Sequence, residues 1–252
     1  MDNRIYQFKH FSNFPQIKHA VTMKSKDSSE LQFSMNLRPS VQLAIQNRKK
    51  ICKILGIDFH NLVRCSQVHK KNIAVISQKN KNNDYEGVPD TDGMITARKD
   101  IALMVLSADC PLIGLFDPVE KVIGAVHAGW RGTVLQIVMN AVRTMQENFC
   151  SEPENIHAVI STSIGPCCYQ VGQEVLDEVS KYTWSKDCMH KKDKHDYFDL
   201  WTANINQLTK TGIPLSKIES AKICTHCHSK TFFSYRKGDK EGRFAFIIAQ
   251  ND

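Results

Sequence analysis

The sequence predicts a mixed α/β fold with many strands in one unit, and three observations lead to this fold class. The chain has 252 residues, of which 42% are hydrophobic and 23% charged, so it can bury a sizeable core in a single domain, residues 1–252. Short apolar runs of strand length alternate with polar or Gly/Pro breaks. Longer segments repeat apolar residues at helical spacing, and the sequence shows no clear linker or repeat.

The first half is predicted to open with a helix from Ser40 to Leu55, which Ser40 caps and Gly56 terminates. Strand-like runs follow in the order NLVRC, NIAVIS, GMIT, IALMVL, PLIGLFD and KVIGAVH. The segment DPVEK between the last two runs is typical of a hairpin turn. Helical spacing of apolar residues from Thr133 to Phe149 then predicts one long helix.

The second half repeats this mixture less regularly. NIHAVIS, IESAKIC and GRFAFII predict strands, and GQEVLDEVSKY and LWTANINQLTKTG predict helices. Two polar segments are predicted to be surface loops, a mobile one, QKNKNNDYEGVPDTDG, and a solvated one, HKKDKHDYFD.

Charge and cysteine content indicate the chemical class of the partner and the cellular compartment of the protein. The net charge of +7 is scattered along the chain, which favours anionic small molecules weakly and predicts no nucleic-acid partner. The N-terminal residues lack a secretory pattern, and the apolar runs are too short to span a bilayer. Nine cysteines without an export signal favour free thiols, so we expect a cytoplasmic protein with no membrane partner.

Three chemistry-bearing residues flank the predicted strands. Cys110 precedes one arm of the hairpin, His127 ends the other arm, and His69 lies between two earlier runs. If the hairpin forms, Cys110 and His127 meet at one end of a sheet. Two imidazoles and a thiolate suit catalytic zinc with an open fourth position. On spacing alone, a buried structural cysteine and two ordinary histidines are the favoured interpretation.

Two other motifs permit a functional and a structural interpretation. In HAGWRGT, backbone N–H groups at a helix start and Arg131 are suited to bind an anion. Alternatively, Gly129 and Gly132 permit a tight turn and Trp130 packs in the core. FFSYRKGDKEGR offers Arg236 and aromatic rings, which either face a planar base or pack in the core.

The remaining cysteine motifs are expected to be structural. Cys224 and Cys227 in CTHCHSK have zinc-knuckle spacing, but no second pair lies at a matching distance, so a structural zinc site is not expected. The adjacent Cys167 and Cys168 in GPCCYQVG are expected to shape a loop.

A set of motifs in order along the chain resembles a known family: SADCPLIG, VHAGWRGT, SIGPCCYQVGQEV, DLWTANINQL and CHSKTFFSYRKGDKEGR, with FSMNL and QNRKK near the N-terminus. The resemblance is to the YfiH or multicopper polyphenol oxidase (laccase-type) family, also called peptidoglycan editing factor and purine nucleoside phosphorylase. It implies an α+β fold in α/β/β/α layers with mixed sheets, related to the catalytic domain of deamidating bacterial toxins. It also implies that His69, Cys110 and His127 are catalytic residues and metal ligands. Zinc is expected rather than copper, because ligands for a multinuclear copper centre are missing.

The resemblance further implies a function and its substrates. These are phosphorolysis of adenosine, inosine, guanosine and methylthioadenosine, and deamination of adenosine, with a purine nucleoside and phosphate as partners. The candidate substrate-binding residues are Arg131, Arg48, Asn36, Gln67 and Arg236. The sequence leaves the general acid and the oligomeric state open.

Three alternatives accompany this function. A cysteine hydrolase or amidase that edits a peptidoglycan precursor would use Cys110 as nucleophile and His127 as base. A copper-dependent polyphenol oxidase and a non-enzymatic binding protein are the other two. Four departures from the family pattern bear on substrate contacts: Lys70, Ser161–Thr162, Ile205 and Lys237.

Overall fold

The computed structural model describes residues 5–24, 41–77 and 87–251. Its helices are α1 Lys9–Ser12, α2 Val41–Leu55, α3 Trp130–Val134, α4 Ile137–Phe149, α5 Gln173–Val179 and α6 Leu200–Lys210. Its strands are β1 Ile5–Tyr6, β2 Ile17–Thr22, β3 Leu62–Arg64, β4 Ile73–Val75, β5 Gly93–Thr96, β6 Ala102–Ser107, β7 Leu112–Asp117, β8 Val122–His127, β9 His157–Ile160, β10 Gln170–Val171, β11 Met189–Lys192, β12 His195–Phe198, β13 Ile218–Ser220 and β14 Phe244–Gln250. None of the helices in these ranges is long and apolar enough to cross a bilayer.

Two mixed sheets pack face to face. Within the described ranges, one sheet has the order β1-β2-β14-β6-β3 and the other the order β13-β9-β7-β8-β5-β4. The pairs β3/β6, β4/β5 and β9/β13 are parallel, and the other neighbours in these two sheets are antiparallel. A buried cluster that includes Phe116, Ile123 and Phe246 fills the space between them.

Helices cover the outer face of each sheet. Ile51 and Leu55 of α2 pack on Met104 and Ile247 of the first sheet. Apolar residues of α4 pack on the opposite face of the second sheet, together with Leu208 of α6. The layers therefore run helix, sheet, sheet, helix, as the family resemblance predicted. A short additional sheet, β10-β12-β11, lies beside them.

The predicted strands and the hairpin are confirmed. Strands β7 and β8 are antiparallel, and Leu112 pairs with His127. Gly56 has a φ of +66°, as expected of the residue that ends α2. Ser40 lies outside the described residues, as do residues 78–86 of the predicted mobile loop.

Two predictions are wrong. The predicted helix from Thr133 to Phe149 is interrupted, because Gln136 has a left-handed backbone with φ of 60° and separates α3 from α4. The segment HKKDKHDYFD is a β-hairpin, β11 and β12, rather than a solvated loop. Its lysines and Asp193 face solvent, whereas Phe198 and Asp199 at its end are buried.

Five strands of the second sheet begin or end at the same edge, and the candidate site residues lie at these strand ends. Strand β8 ends there at His127, and β7 begins there two residues after Cys110, because the two strands are antiparallel. Strand β5 begins at the same edge, since Gly93 pairs with Val126. The parallel strands β9 and β13 both end at this edge. Residues far apart in sequence are therefore neighbours here.

Candidate functional site

His69, Cys110 and His127 converge at this edge. One donor atom of each residue lies within 4.8 Å of the donor atoms of the other two. The two imidazole rings are perpendicular, with centroids 4.8 Å apart. His127 is buried, Cys110 is partly exposed and His69 is exposed. The trio therefore presents two nitrogens and one sulfur to a common, solvent-accessible point.

Asp92, a fully buried residue directly before β5, organises the trio. Its Oδ1 accepts hydrogen bonds from the backbone N–H of His69 and from Nδ1 of His127, both at 2.9 Å. Its Oδ2 accepts the backbone N–H groups of Val68 at 3.1 Å and Lys70 at 2.9 Å. The carboxylate thus shapes the loop that carries His69 and directs the Nε2 of His127 toward the trio.

The electrostatics of the trio favour a thiolate. Burial alone would raise the pKa of Cys110, but hydrogen bonds and charge interactions with His127 and His69 lower it to about 6. Burial alone would lower the pKa of His127, but Asp92 and Cys110 raise it to about 9. The pKa of Asp92 lies below its ordinary value, because the bonds from His127 and from the loop outweigh its burial. Both shifts favour a Cys110 thiolate beside a His127 imidazolium, with the carboxylate of Asp92 behind the ring.

Gly129 leaves the space in front of the trio open. A Cβ at this position would lie 3.0 Å from Sγ of Cys110 and 3.1 Å from Cδ2 of His69. The backbone of Gly129, with φ of −60°, is accessible to any residue, so the requirement is for room rather than for a turn. Two nitrogens and one sulfur, a carboxylate that orients His127 and this free space together fit a single metal ion.

A cavity of about 520 Å³ opens over the trio, which is within the usual size of small-molecule sites. Four of its lining residues carry positive charge, namely Arg64, Arg131, Arg236 and Arg243. The aromatic lining residues are Trp130, Tyr169 and Tyr235. The cavity therefore combines cations with flat apolar surfaces beside the candidate metal ligands.

Residues 18–251 match the family described as multi-copper polyphenol oxidoreductase laccase. The chain belongs to this family. It is 30% identical to the purine nucleoside phosphorylase of Bacteroides thetaiotaomicron over 96% of this chain and 94% of the relative. It is also 30% identical to the adenosine deaminase RL5 of an unknown prokaryotic organism, over 75% of each chain.

A solved structure shows the same fold. The Bacillus licheniformis hypothetical protein YfiH superposes with a TM-score of 0.91 at 28% sequence identity, covering 99% of this chain and 97% of that chain. The resemblance to the YfiH or laccase-type family, inferred from sequence motifs, is therefore confirmed, as is the layered fold that it implied.

The departures from the family pattern do not line the cavity, although Lys70 directly follows His69 and Lys237 directly follows Arg236. None of the described residues that line it is Lys70, Ser161, Thr162, Ile205 or Lys237. The left-handed residue of the first loop is His69, with φ of 59°, so a lysine at position 70 meets no backbone strain. Ser161 is buried, where its hydroxyl accepts the N–H of Leu112 and donates to the carbonyl of Thr162. Ser161 thus supports the fold beside the site.

The structure places some of the candidate substrate-binding residues at the cavity and others elsewhere. Arg131 and Arg236 line the cavity, and so does Gln67. The amide of Gln67 is engaged with Leu106 of β6, donating to its carbonyl at 2.7 Å and accepting its N–H at 2.8 Å. Arg48 is buried on α2 and is not among the described lining residues, and Asn36 lies outside the described part of the chain.

Sequence reasoning missed Asp92, Asp109 and Arg243. Asp92 precedes a predicted strand, which was its one available signal. Asp109 adjoins Cys110 and has a φ of 96°, a strained value for a residue other than glycine. Its carboxylate accepts Oγ1–H of Thr225 at 2.6 Å and the backbone N–H of Arg236 at 2.7 Å, which fixes the cavity wall. Phe232 and Phe233 of the FFSYRKG motif pack in the core, while Tyr235 faces the cavity.

Proposed function

We propose that this protein is a zinc-dependent purine nucleoside phosphorylase that also deaminates adenosine. The observation that carries the proposal is the placement of His69, Cys110 and His127 beneath a cavity lined by arginines and aromatic rings. The names of the relatives from Bacteroides thetaiotaomicron and of RL5 support these two reactions.

The trio would hold the zinc ion, and Asp92 would keep His127 in the tautomer that binds through Nε2. Zinc supplies Lewis acidity at its open position when it is bound. The family description names copper, and an N₂S set also accepts copper. A multinuclear copper centre requires further histidine ligands. Within the described ranges, the other group of three or more candidate ligands contains four cysteines and no histidine, and we therefore favour zinc.

The cationic wall suits the second substrate of phosphorolysis. In that reaction a phosphate oxygen bonds to the anomeric carbon of the ribose, the bond to the purine nitrogen breaks, and the base departs with a proton. Arg131, Arg236 and Arg243 line the cavity, and the planar guanidinium group is suited to bind phosphate oxygens through paired hydrogen bonds.

The aromatic residues suit the purine. Tyr235 is half exposed at the cavity, and the guanidinium of Arg131 already stacks 4.3 Å from the ring centre of Trp130. Burial and the charge of Cys110 raise the pKa of Tyr169 above its ordinary value, although Arg236 opposes this shift. The Tyr169 phenol therefore keeps its proton at neutral pH and serves as a hydrogen-bond donor to a bound base.

The test is the formation of hypoxanthine and ribose 1-phosphate from inosine and phosphate. We expect turnover by the zinc-loaded protein and its loss in Cys110→Ala, together with loss of zinc from the trio. Cys150→Ser is the matched control, because Cys150 is an exposed free thiol outside the site. Full phosphorolysis by Cys110→Ala would refute the assignment.

A cysteine hydrolase is the second candidate, because Asp92, His127 and Cys110 lie in the order of a carboxylate–imidazole–thiol triad. Such an enzyme does not require His69. We therefore expect His69→Ala to abolish a zinc-dependent reaction and to spare a thiol-dependent one. Chelators should abolish the zinc-dependent reaction, and alkylation of the metal-free protein should abolish the thiol-dependent reaction.

A further inference from the structure

Four cysteines that are distant in sequence meet beside the cavity. Strands β9 and β13 are parallel neighbours, so the segments that leave their ends run side by side. Ser163 pairs with Cys224 in a parallel bridge, and the N–H of Thr225 donates to the carbonyl of Ser163 at 2.9 Å. This pairing brings the vicinal Cys167 and Cys168 to the zinc-knuckle pair Cys224 and Cys227.

The four sulfurs form a compact group. All lie within 4.8 Å of one another, and all four residues are free thiols. Sγ of Cys227 is 3.4 Å from Sγ of Cys168 and 3.8 Å from Sγ of Cys167. A tetrahedral site with Zn–S bonds of about 2.3 Å separates its sulfurs by about 3.8 Å, so shifts of about 1 Å or less would close the group around an ion.

Backbone groups are already directed at these sulfurs. The N–H of Gly165 donates to Sγ of Cys224 at 3.3 Å, and the N–H of Cys227 also hydrogen bonds to this sulfur. N–H groups that point at a sulfur stabilise its thiolate form, which is the form that binds a metal. Cys224 is buried, whereas Cys167 and Cys227 are exposed, so an ion can enter from solvent.

We propose that Cys167, Cys168, Cys224 and Cys227 bind a second, structural zinc ion. Four thiols release four protons and become four thiolates around one Zn²⁺, which leaves no open position for a reactant. The sequence-based expectation of no structural zinc site rested on the lack of a second cysteine pair at a matching distance along the chain, and folding brings such a pair to Cys224 and Cys227. The partner pair is vicinal and reaches Cys224 and Cys227 through the parallel pairing of β9 and β13.

This ion would fasten the wall of the cavity. One of the two segments that it joins continues into Tyr169, and the other contains Thr225, which donates to Asp109 beside Cys110. The proposal does not depend on the reaction that the cavity supports, because a closed S₄ site takes no part in it.

Metal analysis of full-length protein purified anaerobically with reductant tests the proposal. We expect about two zinc ions per chain in the wild type and in Cys150→Ser, and about one in either Cys110→Ala or Cys227→Ser. The double variant Cys110→Ala, Cys227→Ser should hold none. A wild-type content of about one that Cys110→Ala abolishes would overturn the second site.

X-ray absorption at the zinc edge is an independent measurement. It is made on Cys110→Ala, so it remains informative if Cys227→Ser fails to fold. In Cys110→Ala, the remaining zinc should have four sulfur neighbours at about 2.3 Å. Nitrogen or oxygen neighbours would contradict the S₄ site. Iron–sulfur absorption, or a Cys168–Cys227 disulfide mapped by mass spectrometry in the reduced preparation, would contradict it as well.

Discussion

Replacement of Asp92 by asparagine tests how the trio is organised. The carboxylate accepts four hydrogen bonds, from His127 Nδ1 and from the backbone N–H groups of Val68, His69 and Lys70. Asparagine keeps one acceptor oxygen and presents an NH₂ group in place of the other, so two of the four bonds are lost. At about 1.5–3 kcal/mol for each bond to a charged group, Asp92→Asn should lower the free energy of unfolding by about 3–6 kcal/mol.

Asp92→Asn should also weaken zinc binding by about 10- to 100-fold, because His127 loses the group that orients it. Urea unfolding at pH 7.5 measures the first effect, and competition with a chromophoric chelator the second. Asp90→Asn is the matched control, since Asp90 lies in the same loop but makes an exposed ion pair with Lys70. Wild-type stability and zinc affinity in Asp92→Asn would refute the role assigned to this carboxylate.

Three further predictions concern space, acid stability and phosphate. Gly129→Ala places a Cβ 3.0 Å from Sγ of Cys110, so zinc analysis should show loss of metal from the trio with little change in melting temperature; full metal content would contradict the crowding argument. Burial lowers the pKa of His19 to about 4 from 6.5, which means that the folded state requires the neutral ring. Its contribution to stability is complete above pH 6.5 and declines as the pH falls toward 4, with a loss of about 2 kcal/mol at pH 5. Urea titrations should show this decline in the wild type and a flatter profile in His19→Gln, and parallel profiles would count against it. Arg131→Gln should raise the KM for phosphate by about 10- to 100-fold, as expected for one lost charge-assisted contact, while Arg143→Gln on the exposed face of α4 should not; equal KM values would remove Arg131 from the phosphate site.

The elements that were predicted correctly have strong local signals. The strands from β5 to β8 are short apolar runs bounded by turn residues, and such runs form strands in many contexts. The break between α3 and α4 has no such signal. Gln136 adopts a left-handed backbone, whereas glycine or asparagine would have indicated it, and apolar spacing continues across the break.

The ligand trio could be proposed from sequence because each member adjoins a strand end. Asp92 could not be separated from the acidic residues around it, since only the register of β5 against β8 places it beside His127. Arg243 belongs to a quoted motif, but its place on the cavity wall depends on where β14 enters the first sheet. Pairings of this kind are distant in sequence, and local patterns do not encode them.

The order of strands explains why both groups of candidate metal ligands lie at one edge. Across the second sheet the order is β13, β9, β7, β8, β5. The first two strands end beside the four-cysteine group, and the next three begin or end beside Cys110, His127 and Asp92. The bond from Thr225 to Asp109 joins the residue that follows Cys224 to the residue that precedes Cys110. Loss of the four-cysteine ion should therefore loosen the wall that carries Tyr169 and Arg236, while the trio, held by Asp92 from the other side, should keep its zinc. If Cys227→Ser removed zinc from both groups, the two halves of this edge would be coupled more tightly than their hydrogen bonds indicate.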